Sequence, residues 1–325
     1  MQEIRRHTVH ANGIGIHVTE QGEGPAVLFC HGFPETAHSW RHQLAGLAEA
    51  GYRAIAPDMR GYGETESPSA IDQYTLLHLV GDMIGLLDAL GEPTAVIVGH
   101  DWGAPVAWHA ALLRPDRIRG VVGLSVPFIS RGQVYTHPEL PRSDDAVFYQ
   151  EYFQAPGIAE AELERDVRST IRSLLYSLSG DAPVPEAALQ AGHVGMVSRD
   201  GLLGQMIDPT SLPPWIPELD VDAYVKQFSR TGFRGGLNWY RNIARNHELF
   251  APFDGLKIAV PALFIAGDRD VVLAFRGMDG VIANLSHHAP LLREALILPG
   301  CGHWTQQERP KEVNSALIGF LKNIA

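Results

Sequence analysis

Gly99-His100-Asp101-Trp102-Gly103 sets a carboxylate between two glycines, directly after the apolar run Ala95-Val96-Ile97-Val98 and ahead of an alanine-rich helical pattern. Strand, sharp turn and helix in that order make a nucleophile elbow, whose small flanking residues let backbone crowd together and hold one side chain up at the carboxyl edge of a sheet. A carboxylate with an ordinary pKa of about 4 is ionised at neutral pH, so Asp101 can attack an electrophilic carbon without a base to activate it. Taken alone, Gly-x-Asp-x-Gly reads more simply as a glycine turn with an Asp helix N-cap. The other motifs of the chain shift the balance toward chemistry.

Two of them lie far downstream. The apolar run Pro261 to Ala266 is followed by Gly267-Asp268-Arg269-Asp270, and Ala295 to Leu298 by Pro299-Gly300-Cys301-Gly302-His303-Trp304. His303 is a base able to activate water, and an aspartate on its other ring nitrogen would fix its tautomer. Asp268 and Asp270 compete for that role; Asp270 lies two residues deeper in the loop, while Asp268 suits a turn. Nucleophile, acid, histidine is the chain order of the α/β-hydrolase triad. Upstream, Cys30-His31-Gly32-Phe33-Pro34-Glu35 follows another apolar run. Phe33-Pro34 is a candidate cis peptide in a tight turn that can aim the Phe33 N–H into the site. With the N–H of Trp102 it would form an oxyanion hole for a tetrahedral intermediate on an esterified Asp101. On its own the segment is equally an ordinary strand-to-helix turn, with Glu35 a surface charge at a helix start.

These residues need a scaffold that brings strand ends together. His7-Thr8-Val9-His10 and Gly15-Ile16-His17-Val18 flank the turn signal Asn12-Gly13 of a hairpin. Strands at 26–30, 53–57, 95–98 and 118–125 then alternate with helical stretches at 37–50, 74–90 and 104–113. That alternation predicts an α/β fold, a mostly parallel central sheet flanked by helices. From about Pro127 to Arg245 the rhythm changes: proline, glycine and aromatics increase, and helical patterns run without strands, most clearly Glu160 to Leu178 and Asp220 to Thr231. The strand pattern resumes at 261–266 and 295–298, and a helix from Pro310 to Leu321 closes the chain. The expected organisation is a hydrolase core at 1–127 and 246–325 interrupted by a helical cap, or lid, at 128–245. Ligands of open parallel sheets sit outside the carboxyl ends of the strands, where each of these motifs falls.

Composition narrows the partners. With 325 residues and 45% hydrophobic content the chain can bury a large core. A formal net charge of −11 and the lack of a basic patch argue against nucleic acid or an anionic membrane and favour a small neutral substrate. Two cysteines, Cys30 and Cys301, a start without the apolar core of a signal peptide, and no run of membrane-spanning length point to a reducing cytoplasm with both thiols free. The 15 histidines contain no HExxH, so no metal is expected and His287-His288 reads as solvated loop.

The cap region carries Phe148-Tyr149-Gln150-Glu151-Tyr152-Phe153-Gln154-Ala155-Pro156-Gly157, followed by Ala159-Glu160-Ala161-Glu162-Leu163-Glu164, and later Leu237-Asn238-Trp239-Tyr240-Arg241-Asn242. Together with His-Gly-Phe-Pro-Glu, Gly-His-Asp-Trp-Gly and Cys-Gly-His-Trp, these segments stand in the order found in the soluble epoxide hydrolases of the α/β-hydrolase superfamily, which the chain resembles over nearly its whole length. The resemblance implies Asp101, His303 and Asp270 as the triad and Tyr149 and Tyr240 as the phenols that grip an epoxide oxygen. Tyr152 is the nearest rival of Tyr149. It also implies a two-step reaction: Asp101 opens the epoxide to a hydroxyalkyl ester, and water activated by His303 hydrolyses that ester to a vicinal diol. A phenol of pKa about 10 stays protonated at neutral pH yet can give its proton to a more basic alkoxide. Neither step calls for a metal or organic cofactor.

The same resemblance marks Arg60-Gly61-Tyr62-Gly63 as a structural turn and offers Glu35 a second reading, in a water network near the histidine. Phe33, Trp102, Trp304 and the cap residues Phe153, Met206, Trp215 and Leu237 would line an apolar tunnel suited to hydrophobic epoxides. A small residue at Ala37, where relatives carry an aromatic, would widen it. Haloalkane dehalogenase is the nearest alternative, but that family typically places Asn where Phe33 stands and holds halide with N–H donors. A catalytically inactive ligand-binding hydrolase scaffold is the other, and its mark would be a missing triad member. No Gly-x-Ser-x-Gly is present for a serine esterase. A cap can serve as a dimer surface or not, so monomer and homodimer both stay open.

Overall fold

In the computed structural model, residues 3–133, 140–183, 194–198 and 200–324 are described. β1 (Ile4–Ala11) and β2 (Ile14–Gln21) form the antiparallel hairpin expected around Asn12 and Gly13, whose φ values of 47° and 80° suit a two-residue turn. β3 (Ala26–Cys30), β4 (Arg53–Pro57), β5 (Ala95–His100) and β6 (Ile118–Leu124) follow. The insertion carries short strands β7 (Ala146–Phe148) and β8 (Met196–Ser198), and β9 (Ala262–Gly267) and β10 (Leu292–Leu298) resume the sheet. The eight-stranded sheet has the order β1-β2-β4-β3-β5-β6-β9-β10, parallel from β4 to β10. Every residue of β3 and β5 is buried, which is why they read as unbroken apolar runs.

Helices α1 (Arg41–Glu49), α2 (Leu76–Ala89) and α3 (Gly103–Leu113) cover the sheet between strands. One apolar layer joins Leu28 and Ile97 to Met83, Ala107 and Trp108; the opposite layer joins Phe29 and Val98 to Trp40, Leu44, Leu317 and Phe320. Alternate residues of one strand thus serve opposite layers. The insertion contributes α4 (Tyr149–Tyr152), α5 (Ile158–Leu163), α6 (Val167–Ser177), α7 (Glu218–Thr231), α8 (Arg234–Arg241) and α9 (Ile243–Leu249). After β9 come α10 (Met278–Ala283), α11 (Leu285–His288), α12 (Thr305–Glu308) and α13 (Pro310–Lys322).

Three local expectations change. The single helix expected over Glu160 to Leu178 is two, because Asp166 adopts extended backbone and caps α6 by accepting the Ser169 N–H at 3.1 Å. The insertion is not free of strands, since β7 and β8 pair antiparallel. His287 and His288 end α11 rather than lying in a loop, and His288 Nε2 meets Gln133 Nε2 at 3.1 Å.

The insertion is tied to the sheet domain by polar contacts at its base. Arg41 pairs with Asp220 at 2.7 Å, Trp239 Nε1 donates to the Arg60 carbonyl at 3.1 Å, and Asn242 Nδ2 donates to the Ile71 carbonyl at 2.7 Å. The Arg60 turn is structural, as expected: its guanidinium is buried against Asp82 at 2.6 Å. No helix among the described residues is long and apolar enough to cross a membrane.

Candidate active site

The elbow between β5 and α3 holds Asp101 at φ 49°, a left-handed conformation uncommon for a residue with a side chain. Glycines in the elbow and in the loop after β3 answer a packing demand. A Cβ on Gly103 would sit 2.0 Å from the Cys30 carbonyl oxygen, and one on Gly32 would sit 2.3 Å from Asp101 Oδ1. The backbone of the β3 loop can therefore lie directly against the carboxylate. Phe33, preceding a cis bond to Pro34, donates its N–H to Asp101 Oδ1 at 2.7 Å. Trp102 stands at the N-cap of α3, immediately after the carboxylate.

His303 arrives from the loop after β10. Its Nε2 lies 3.6 Å from Asp101 Oδ2, and its Nδ1 lies 3.0 Å from Asp270 Oδ1. Asp270, on the loop after β9, is buried, and its Oδ1 also accepts the Val272 N–H at 3.0 Å. Asp268 faces outward and accepts the Gly300 N–H at 2.7 Å, shaping the turn beneath the histidine loop. Between the two aspartates, the structure brings Asp270 to the histidine. Ser125, just past β6, also reaches His303 Nδ1, with Oγ at 3.0 Å and φ 68°. Sequence reasoning missed it, because a serine after a strand carries no pattern of its own.

Electrostatics follow from burial and these partners. Burial alone would lower the His303 pKa, but the charges of Asp270 and Asp101, with their hydrogen bonds, hold it well above its ordinary value. Burial would raise Asp270; the facing His303 and the Val272 N–H outweigh it and keep the carboxyl low. Tyr149 and Tyr240 are both pushed upward by burial and then by the Asp101 charge, so both stay protonated at neutral pH.

The two phenols close the site from the insertion, Tyr149 at the start of α4 and Tyr240 in α8, with ring centroids 5.8 Å apart. Phe153 packs on Tyr240 at 4.9 Å, Phe33 on Tyr240 at 5.6 Å and Trp102 edge-on to Tyr240 at 5.1 Å. Tyr152 is turned away and donates its hydroxyl to Glu162 at 2.6 Å. Trp304 differs from its expected place in a tunnel wall. It has no exposed surface, packs on His303 at 4.7 Å and donates its indole N–H to the Leu175 carbonyl at 2.8 Å, because the histidine loop is pressed onto the end of α6. Ala37 likewise belongs to the apolar layer with Phe29 and Trp40, its N–H bonded to Asp58, so its small size widens no tunnel.

Glu35 is not a surface charge. It is fully buried and accepts from the Gly32 N–H at 2.9 Å, His100 Nδ1 at 2.7 Å and Gln306 Nε2 at 2.8 Å. His100 Nε2 in turn lies 2.7 Å from the His303 carbonyl oxygen. Glu35 thus reaches His303 through His100 and the main chain. Burial would raise its pKa, but the His100 contact and the Gly32 N–H lower it. Cys30 and Cys301 are buried and free, with thiol pKa values raised by desolvation, as inert core cysteines.

Sheet order, elbow and histidine loop define an α/β-hydrolase whose elbow carries aspartate in place of serine. The family model described as alpha/beta hydrolase fold matches residues 25–191. Epoxide hydrolase A of Mycobacterium tuberculosis is 47% identical over 321 residues, 97% of each chain. Among solved structures, an epoxide hydrolase from an endophytic Streptomyces superposes with a TM-score of 0.92 at 44% identity, covering 99% of this chain and 96% of the other. Epoxide hydrolase A from Mycobacterium thermoresistibile gives 0.89 at 43% identity, covering 98% of each. The chain belongs to the epoxide hydrolases of the α/β-hydrolase fold.

Proposed function

We propose that this protein hydrolyses hydrophobic epoxides to vicinal diols through a covalent ester on Asp101. The observation that carries the reading is the division of labour around that carboxylate: Phe33 N–H on Oδ1, His303 facing Oδ2, and two buried phenols above. Oδ2 attacks a ring carbon, the carbon–oxygen bond of the epoxide breaks, and the departing oxygen takes a proton from a phenol. Oδ1 becomes the ester carbonyl oxygen. It stays on the Phe33 N–H, joined by the N–H of Trp102 as second donor, so charge developing during ester hydrolysis meets donors already in place. His303, oriented by Asp270 and Ser125, takes one proton from water as it attacks the ester carbon. The bond from that carbon to the diol oxygen then breaks, the diol oxygen leaves with the water's second proton, and Asp101 is regenerated as a carboxylate. The proton on His303 makes good the one the phenol gave up.

The aromatic surround of Phe33, Trp102, Phe153, Tyr149 and Tyr240 favours aryl or longer-chain epoxides over the smallest terminal ones. We assign the core to 1–127 and 246–325 and the cap to 128–245, and place the protein in a reducing cytoplasm, where its two buried thiols would stay free. The test is diol release from styrene oxide and stilbene oxides, with halide release from 1-bromobutane assayed beside it. Diol without halide is expected. Halide without diol would make the protein a dehalogenase, and tight ligand binding without either would make it a binding scaffold.

A further inference from the structure

Gln150 and Gln154 lie one helical turn apart, and both amides are used around the phenols. Gln150 Nε2 donates to the Tyr149 hydroxyl oxygen at 3.2 Å. Gln154 Nε2 donates to the Gln150 carbonyl at 2.7 Å and to the Tyr240 carbonyl at 3.1 Å, which ties the α4 segment to α8 at the residue bearing the second phenol. A phenol has one proton to give and an oxygen able to accept. With an amide N–H on that oxygen, the Tyr149 proton is not consumed by Gln150. Among the described residues, the Tyr149 side chain is otherwise packed by the rings of Phe148, Phe153, Tyr240 and Phe275.

We infer that Gln150 is a positioning residue for epoxide opening, leaving the Tyr149 proton free for the epoxide oxygen and stabilising the phenolate when that proton leaves. The inference rests on the proposed epoxide hydrolysis. In the opening step the Asp101 oxygen forms a bond to carbon, the carbon–oxygen bond of the epoxide breaks with its electron pair, and the phenol proton moves to that oxygen. The phenolate is left in an apolar aromatic surround, where a hydrogen bond already aimed at its oxygen counts for more than one in water. Tyr152, three positions after Tyr149, shows the opposite arrangement: its partner Glu162 is an acceptor, and the Tyr152 proton is committed to it. A glutamate at position 150 would do the same to Tyr149.

The test compares wild type with Gln150→Glu and Gln150→Met in single turnovers of a stilbene oxide, with enzyme in excess. Ester formation and ester decay are followed separately by quenched intact-protein mass. At about pH 8, Gln150→Glu is expected to slow ester formation by about tenfold or more while ester decay stays within about twofold of wild type. Relative to wild type at each pH, ester formation should recover as the new carboxyl becomes protonated and able to donate. Gln150→Met, which has no donor, should be slower at every pH. Unchanged ester formation in Gln150→Glu, a loss independent of pH, or equal slowing of both steps would overturn the inference. Wild type that forms neither ester nor diol would instead sink the underlying reading of the site.

Discussion

Asp101 Oδ2 and His303 Nε2 stand 3.6 Å apart, so the nucleophile's charge faces the nitrogen that must later accept a proton from water. While Asp101 is a carboxylate, it and Asp270 raise the His303 pKa and favour the imidazolium. Esterification removes one of those two charges. The base is thereby released at the step that needs it.

That relationship has a pH consequence. A raised pKa means His303 is protonated below it and neutral above it. Losing the Asp101 charge should lower the midpoint in the ester. Ester decay should rise with pH around a midpoint below the His303 midpoint of the free protein, whereas ester formation should show no such limb. Stopped-flow decay rates against pH, set beside an NMR titration of His303 in the free protein, check this; a midpoint equal or higher in the ester would contradict it.

Exchanging the base should separate the two steps. His303→Gln is expected to accumulate an adduct of the substrate's mass on Asp101 and to turn over slowly, while Asp101→Asn forms none. Intact-protein mass spectrometry after epoxide addition reads both. A turnover-deficient His303→Gln protein with no adduct would rule out the two-step route.

The two loop aspartates should behave differently. Asp270→Asn keeps the shape but presents the wrong tautomer partner to His303, a change expected to slow ester hydrolysis by on the order of 10³–10⁴. Asp268→Asn touches only the turn at Gly300 and should stay within about threefold of wild type. Comparable losses in the two variants would mean that the acid has been misassigned.

Among the tyrosines, Tyr149→Phe and Tyr240→Phe should each slow ring opening by about 10²-fold. Tyr152→Phe removes only the bond to Glu162 and should leave ring opening nearly intact while costing about 1 kcal/mol of stability. Single-turnover rates and urea midpoints for the three proteins settle the assignment.

Glu35→Ala should destabilise strongly, by about 3–5 kcal/mol, because His100, the Gly32 N–H and Gln306 lose a buried charged acceptor together. The folded-state pKa of Glu35 is lowered, so its contribution is present above the ordinary carboxylate range and is lost as pH falls through the lower folded value. Urea unfolding of wild type and variant across that range should show their difference shrinking toward acid pH.

Much of the scaffold was legible because its elements carry strong periodic signals. β3 and β5 read as unbroken apolar runs since both faces of the sheet are covered, and Asn12-Gly13 announced its hairpin through backbone that few other residues adopt. The break at Asp166 was hidden because its cap lies inside a stretch whose apolar spacing continues across it. β7 and β8 were hidden because three-residue strands leave no period to read.

By itself the sequence determined the elbow, the order of nucleophile, acid and histidine, and the alternation of strands and helices, since these depend on neighbours along the chain. Tertiary structure decided what depends on approach in space. Asp270 rather than Asp268 meets His303, Tyr149 rather than Tyr152 faces Tyr240, Ser125 joins the histidine from a third strand end, and Glu35 is drawn inward to His100. The physical reason is shared by all four. A carboxylate or hydroxyl takes its role from which donor or acceptor it meets and how dry that meeting is, and both are set by packing between segments far apart in the chain.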